Sequence, residues 1–579
     1  CLLSVPLETA MVNFGACVPR TCNSSDVVAL AQTDTAFQFI IPLLATLNTT
    51  GATATCGDHA PQSWDGGAIA MLTVLSILGL VAVAGTALDL FQRNNIDGTQ
   101  TAEDSDDLFE RLMVESQAPT PEDQAGIKKA LLAFSLLRNW AQLVDTAPRT
   151  GRGGERFPHL DGIRFLSMTW VIFGHTIFFM LISPGIVNIT ESVLPPDGAA
   201  AKQWAFQLVP SAEYAVDSFF YLSGFLVGRS LLRRIRSDTT LGEFASSLPL
   251  MIFLRFARLL PALSVVMFGY WSLLKYMGSG PVWYQVAASV EPCHKYWWTN
   301  LLFINTLVPW NNNFSNECMG WTWYLSVDTL LFYFVPPLIF LYTRSTKAGF
   351  ALPLTLIASS IIAAGFTAWH NRLSMYPFDP NGSGGDYGDQ YYTKFWFRAP
   401  PYLTGVVAAL FLQSYGAKGP HRRPPAMVSL FALTVACVLL GWTTFGGFSM
   451  YRTILGTWNR WQMSVWVAIS RPLWGLGLCL LCLVCHFGHA GPIGYLLASP
   501  IWPPLSRLTF SAYLVHEVVI SGVYYSQDHP YTYSAINAAI LTTGIGTLSY
   551  CCAALVFLFV ESPFANLVKL VTPNPKGKR

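Results

Sequence analysis

Residues 160–180 read LDGIRFLSMTWVIFGHTIFFM. As a helix this run is long enough to cross a hydrocarbon layer of about 30 Å, yet it opens on Arg164 and holds His175 in its middle. At a rise of about 1.5 Å per residue, the step from Arg164 to His175 carries the imidazole ~16 Å deeper, near the bilayer midplane. Ionisable groups at that depth are costly, so His175 is a functional candidate, with a satisfied core histidine as the simpler alternative.

The remainder of the chain agrees with a lipid solvent. Of 579 residues, 52% are hydrophobic and only 12% charged, with 19 Trp and 38 Phe, and the mean hydropathy is +0.40. That is about half the usual share of charge, which rules out a set of soluble domains. The 35 basic and 33 acidic side chains leave a net charge of +2, so no basic surplus points to nucleic acid. Apolar spans are expected at 68–91, 162–184, 213–232, 250–274, 321–342, 349–369, 398–415, 426–444, 462–487, 505–526 and 534–560. These predict an all-α polytopic membrane protein with about eleven transmembrane helices. Most Lys and Arg fall on the side this scheme assigns to the cytosol, including the tail Lys576, Lys578 and Arg579. The apolar stretch 296–310 is too short to cross and reads as re-entrant or interfacial.

The chain divides by composition. Residues 1–67 hold Cys1, Cys17, Cys22 and Cys56 with the glycosylation sequons at Asn23 and Asn48, a small disulfide-bonded domain expected outside the cytosol. A start at Cys1 reads as a processed or truncated end. Residues 68–91 form the first span, and 92–156 a cytosolic linker whose acidic run includes Glu103, Asp104, Asp106, Asp107 and Glu110. Within the linker, Ile127, Leu131, Phe134, Leu137 and Trp140 recur at helical spacing, giving an amphipathic helix that lies on the membrane or packs on the bundle. Residues 157–562 form the main membrane domain and 563–579 a basic cytosolic tail. Cys293 and Cys318 are a further disulfide candidate, and Asn188, Asn313 and Asn381 further glycosylation candidates, all expected on the outer side.

Depth arithmetic brings other polar groups toward the layer of His175. Asp328 lies ~10 Å below the outer face, His516 ~16 Å above the inner one and Arg471 close to the same depth, while Asp217 is shallower at ~6 Å. Together they could form a site with a general base, an orienting acid and an electrostatic stabiliser, or a purely structural polar knot. Near the cytosolic mouth, Arg255 and Arg258 share one helix face beside Arg229, Arg233, Arg234 and Arg236, and could grip phosphates. The run from Cys482 to His486 matches a c-type haem attachment pattern, but packing of small polarizable residues in an apolar helix accounts for it. No Gly-rich phosphate loop, HExxH or GxSxG motif is present.

The run from Leu160 to His175 resembles the opening of the acyltransferase-3 family, whose first domain helix carries an Arg, ten residues and a His. The stretches Val216–Phe225, Arg255 with Arg258, Trp323–Asp328 and Leu508–His516 resemble its later blocks in the same order. Gly15–Cys22 and Phe134–Leu136 are similar to the branch named for nose resistance to fluoxetine. The resemblance implies a ten-helix acyltransferase-3 bundle after one preceding helix. It also implies acyl-CoA as co-substrate with no bound cofactor or metal, His175 as the catalytic base, and Arg164, Arg255 and Arg258 on the donor side. Many bacterial relatives carry Glu at the position of Asp328, which is expected here to orient the imidazole.

The expected function is an integral membrane O-acyltransferase, acting among membrane lipids on a hydroxyl acceptor, without nucleic acid. The plasma membrane or endoplasmic reticulum is the expected location. The alternative is a non-catalytic transporter or receptor-like protein for lipids or hydrophobic xenobiotics.

Overall fold

The computed structural model describes residues 2–6, 11–15, 53–55, 63–97, 126–146, 157–182, 186–188, 202–280, 282–310, 316–375, 387–416, 423–451, 458–527 and 531–571, with 25, 28, 192 and 200. Three short strands, β1 (Leu2–Pro6), β2 (Met11–Gly15) and β3 (Thr53–Thr55), pair antiparallel with β1 in the middle. Among the described residues the remaining regular structure is helical, apart from one isolated bridge between Ile186 and Tyr531. Cys1, Cys17, Cys22, Cys56, Asn23, Asn48, Asn313 and Asn381 lie outside the described residues.

The first half of the helical order is α1 (Gly66–Asp97), α2 (Gly126–Leu132), α3 (Leu136–Val144), α4 (His159–Ile182), α5 (Glu213–Leu232), α6 (Leu241–Leu273), α7 (Tyr284–Val290), α8 (Cys293–Leu301) and α9 (Trp323–Arg344). The second half is α10 (Thr346–His370), α11 (Phe395–Gly416), α12 (Ala426–Phe445), α13 (Arg460–His486), α14 (Gly491–Leu497), α15 (Trp502–Arg507), α16 (Thr509–Tyr525), α17 (Ala535–Val556) and α18 (Ser562–Val571).

Among the described residues, nine helical stretches are long and apolar enough to cross a membrane, which fits an integral multi-pass protein. The two further spans expected from sequence are helical but miss that mark. Glu213, Asp217 and Arg229 interrupt α5, and a break at Leu508 leaves α16 only 17 residues. Both lie inside the bundle, where protein replaces lipid around their polar groups: α5 packs on α4, α9, α11 and α13, and α16 on α4 and α17. The stretch 296–310 forms the end of α8 followed by turns, so it is too short to cross.

Two glycines set the closest approach in the bundle. A Cβ on Gly224 of α5 would lie 2.0 Å from the Tyr402 carbonyl oxygen, and one on Gly405 of α11 2.1 Å from that of Tyr221. The α5 and α11 backbones therefore touch through small residues, as helices do where lipid offers no hydrophobic drive between them. That contact fixes α5, and with it Asp217 and the arginines at its far end.

The linker packs onto the bundle as two short helices rather than one. Ser135 caps α3 and donates its hydroxyl to Asp89 of α1 at 2.8 Å, while Arg138 Nε donates to the same carboxylate at 2.8 Å. Leu132, Phe134 and Leu143 are buried, whereas Ile127 and Trp140 stay exposed. Beyond α17, a π-helical turn at Phe557–Glu561 leads directly into α18, so helix continues into the stretch expected to be tail.

A Gly405→Val substitution has no space to enter without parting α5 from α11. We expect it to destabilise the detergent-solubilised protein by about 1–3 kcal/mol, read as a lowered thermal midpoint; an unchanged midpoint would show that the two backbones are not held in contact.

Candidate functional site

Two polar groupings occupy the bundle, and the sequence-expected layer divides between them. The first joins α4 to α16. His175 Nδ1 lies 2.8 Å from His516 Nε2 and 3.1 Å from Glu517 Oε1. The rings are tilted by only 10°, with centroids 5.1 Å apart. With the nitrogens at 2.8 Å, that separation requires the rings to meet edge to edge in one plane rather than face to face.

The proton positions follow from the partners. His516 Nδ1 is 2.7 Å from the Tyr513 carbonyl oxygen, which can only accept, so this nitrogen carries hydrogen. His516 Nε2 is then the acceptor, and His175 Nδ1–H donates to it, with Glu517 Oε1 a second acceptor for the same hydrogen. His175 Nε2 is left with its lone pair. The three donor atoms lie within 4.8 Å of one another, the spacing of a metal-binding cluster. In-line nitrogens at hydrogen-bond distance suit a shared proton, however, since ligand lone pairs must converge on an ion from an angle.

His175 opens onto a cavity of about 2440 Å³, whose wall also includes Arg164, Arg229, Arg233, Arg234, Arg236, Arg255 and Arg258. A single space thus runs from the imidazole to the arginine-rich end of the bundle. The side chain of His175 is 33% exposed, whereas His516 is fully buried behind it. Within the wall, Asp328 is ion-paired with Arg255, whose guanidinium lies 4.5 Å from the centre of the Phe332 ring. The expected partnership of Asp328 with His175 is therefore corrected: Arg255 takes the Asp328 carboxylate, and Glu517 is the carboxylate beside His175. Arg164 is only loosely paired, 3.9 Å from Asp161, and Arg258 also faces the cavity.

The second grouping joins α5, α11 and α13. Asp217 receives Arg398 Nη1 on one oxygen and Arg471 Nη1 on the other, each at 2.9 Å. Arg471 Nη2 reaches Glu213 at 2.9 Å, and Arg471 Nε donates to the Tyr391 hydroxyl at 3.1 Å. Arg398 stacks over Tyr392 and Trp323 at 4.2 and 4.8 Å. Two cations and two anions cancel there, with Asp217, Arg398 and Arg471 buried and Glu213 nearly so, and hydrogen bonds hold them in place, which describes a structural knot. Asp217 and Arg471 belong to this knot and not to the His175 site.

Glu517, Glu213 and Arg398 are missing from the sequence-derived set. Glu517 directly follows His516 in one apolar run, and Glu213 lies four residues before Asp217 on the same helix face, a visible signal. Arg398 is the first residue of its expected span, 398–415. Elsewhere, Cys293 and Cys318 form a disulfide. The Asn188 side chain donates to the Tyr533 carbonyl oxygen at 3.0 Å and accepts from the Tyr533 N–H at 2.8 Å. Cys479 and Cys482 are buried in an apolar cluster with Tyr221 and Trp474, in keeping with packing.

The acyltransferase domain of the acyltransferase-3 family matches residues 157–560. The chain belongs to the acyltransferase-3 family. It is similar to nose resistant to fluoxetine protein 6 of Caenorhabditis elegans, 25% identical over 606 aligned positions that cover 98% of this chain and 67% of that protein. It is also similar to regulator of hypoxia-inducible factor 1 of the same organism, 23% identical over 440 positions covering 70% and 79%. No solved structure matches. The similarity to the first relative extends beyond the membrane domain across nearly the whole chain, as the resemblance of its N-terminal stretches implied.

Removing Arg398 would leave one oxygen of the Asp217 carboxylate without its cationic partner in a dry interior, with only Arg471 still on the other. We expect Arg398→Ala to cost about 3–5 kcal/mol. Arg258→Ala, on the open cavity wall, should stay within about 0.5 kcal/mol. Equal thermal midpoints for the two variants would contradict the division into knot and cavity.

Proposed function

We infer that this protein is a membrane O-acyltransferase that takes an acyl group from cytosolic acyl-CoA and passes it to a hydroxyl acceptor, with His175 as general base. The carrying observation is the single cavity that joins the arginine cluster to a ring nitrogen whose lone pair is free. Its volume of about 2440 Å³ exceeds the usual small-molecule pocket of about 300–1,000 Å³, leaving room for a long donor and an acceptor together.

Arg229, Arg233, Arg234 and Arg236 lie where the donor's phosphates would arrive, and guanidinium groups suit phosphate oxygens through paired N–H donors. Leu222, Leu226, Leu254 and Phe332 provide apolar wall for the acyl chain. In the reaction, His175 Nε2 accepts the acceptor's hydroxyl proton as the oxygen bonds to the thioester carbonyl carbon. The carbon–sulfur bond then breaks, and the departing thiolate takes that proton back from Nε2, giving ester and free thiol. Positive charge on the ring in the intermediate is offset by Glu517, 3.1 Å from Nδ1. His516 holds the ring in the plane that presents Nε2.

A cytosolic donor with its phosphates at the arginines would set that end toward the cytosol, in agreement with the positive-inside bias of the sequence. The residues around Cys293 and Cys318 then face the opposite side, where disulfides persist.

Purified protein in lipid nanodiscs, given labelled acyl-CoA and a lipid extract as acceptor, should yield labelled acyl ester. His175→Ala should abolish product, and Glu517→Gln should lower kcat by about 10²-fold with little change in KM. Product formation at the wild-type rate by His175→Ala would refute the reading, and saturable movement of lipid without any ester would favour a carrier instead.

A further inference from the structure

The free nitrogen of His175 depends on the two acceptors at its Nδ1, Glu517 and His516, and the second of these is set one bond further away, at the Tyr513 carbonyl. Protons in the pair are linked. While His516 keeps hydrogen on Nδ1 for that carbonyl, its Nε2 accepts from His175 and leaves His175 Nε2 open. Should the carbonyl move off, His516 can place its hydrogen on Nε2 instead. His175 Nδ1 then accepts from His516 while turning its lone pair toward Glu517 Oε1, and the hydrogen of His175 passes to Nε2, which becomes a donor and cannot take a proton.

The segment that supplies this carbonyl is held from a distance. The Tyr513 hydroxyl donates to the Trp321 carbonyl at 2.5 Å, and Trp321 Nε1 donates back to the Leu514 carbonyl at 3.3 Å. The two bonds run in opposite directions between the same two segments, so α16 is clamped near His516 to the turn that opens α9. That turn has its own anchors. Cys318 is bonded to Cys293 at the start of α8, and Asn300 Nδ2 donates to both the Cys318 carbonyl and the Thr322 hydroxyl at 2.7 Å. Met319 sits at φ +49°, a left-handed conformation that a branchless but bulky side chain keeps only where its surroundings impose it. The Thr322 hydroxyl and backbone N–H both bind the Met319 carbonyl at 2.8 Å.

We propose that Tyr513 is a positioning residue for the imidazole pair, and that its clamp to the Cys318–Thr322 turn makes the base depend on the Cys293–Cys318 disulfide. The consequence for turnover rests on the acyltransferase reading above; the effect on the state of His175 does not. The charged and titratable groups around that ring are His516 and Glu517 from α16. Across the cavity wall stand Tyr324 and the Arg255–Asp328 pair on α6 and α9, with Arg164, Arg258 and Glu561 farther along. None of these is altered by removing the Tyr513 hydroxyl, so a change at His175 reports on the clamp.

Diethyl pyrocarbonate, which attacks an unprotonated imidazole nitrogen, reads the open nitrogen without any need for turnover. Full-length wild type, Tyr513→Phe and the paired variant C293A/C318A are labelled across a pH series in nanodiscs, and the His175 peptide is followed by mass spectrometry, with exposed His370 as internal reference. Acyl transfer is measured in parallel. The clamp requires His175 labelling to fall about tenfold in both variants at neutral pH while His370 is unchanged, and kcat to fall about tenfold with KM for acyl-CoA preserved. Wild-type labelling of His175 in Tyr513→Phe overturns the proposal. If that variant does not fold, Trp321→Phe removes only the returning bond and must show the same loss of labelling, and unchanged labelling there counts against the clamp equally. Loss of labelling in Tyr513→Phe, where the wild type itself shows no acyl transfer, upholds the clamp and rejects the enzyme.

Discussion

The structure turns on one hydrogen bond, that between His175 on α4 and His516 on α16. Its geometry is in-line and coplanar, and it lies where the surroundings of His516 are dry. In such surroundings a hydrogen bond is electrostatically stronger than in water, and an unmet partner is correspondingly expensive. Neither ring can rotate freely, because His516 is tied to the Tyr513 carbonyl and His175 shares its hydrogen with Glu517. The result is a nitrogen with a defined lone pair at the end of a basic cavity.

Charge is distributed in two ways around that bond. In the knot of Asp217, Glu213, Arg398 and Arg471, opposite charges meet in equal number and are consumed by one another. This grouping joins α5, α11 and α13, and the contact of Gly224 and Gly405 sets the same helices close together. Along the cavity the arginines exceed the acids, so the positive field there is unspent and available to an anionic ligand. Arg255 is the intermediate case, since it faces the cavity yet is already paired with Asp328. A phosphate arriving at Arg255 competes with that carboxylate, whereas one arriving at Arg258 does not.

Much of this was legible in the residues. Helical rise alone carried His175 and His516 to one depth, and a chain with so few charges left little choice of solvent. Depth, though, is one coordinate of three. Asp328, Asp217 and Arg471 sit at comparable heights, but the rotation of each helix about its axis decides what a side chain meets, and a sequence with no repeat to calibrate it does not disclose that angle. Glu517 was overlooked for a related reason. Successive helical residues point in directions ~100° apart, so His516 and Glu517 are not expected to serve one partner. They do so here because His175 approaches along the space between them. Two of the expected spans, α5 and α16, fall short of the apolar mark because they are interior helices whose polar groups are matched by protein rather than lipid. The clamp through Tyr513 and Trp321 was invisible beforehand, since it pairs a hydroxyl with a backbone carbonyl nearly two hundred positions away.

The most direct test is a cryo-EM structure of the full chain in nanodiscs with a non-hydrolysable thioether analogue of a long-chain acyl-CoA. Density should place the phosphates among Arg229, Arg233, Arg234 and Arg236 and bring the atom that replaces the carbonyl carbon within reach of His175 Nε2, with the His175–His516 contact intact. An analogue bound elsewhere on the protein, or an acyl chain filling the cavity with its headgroup turned away from the arginines, would contradict the assignment of this space as a route for donor to base.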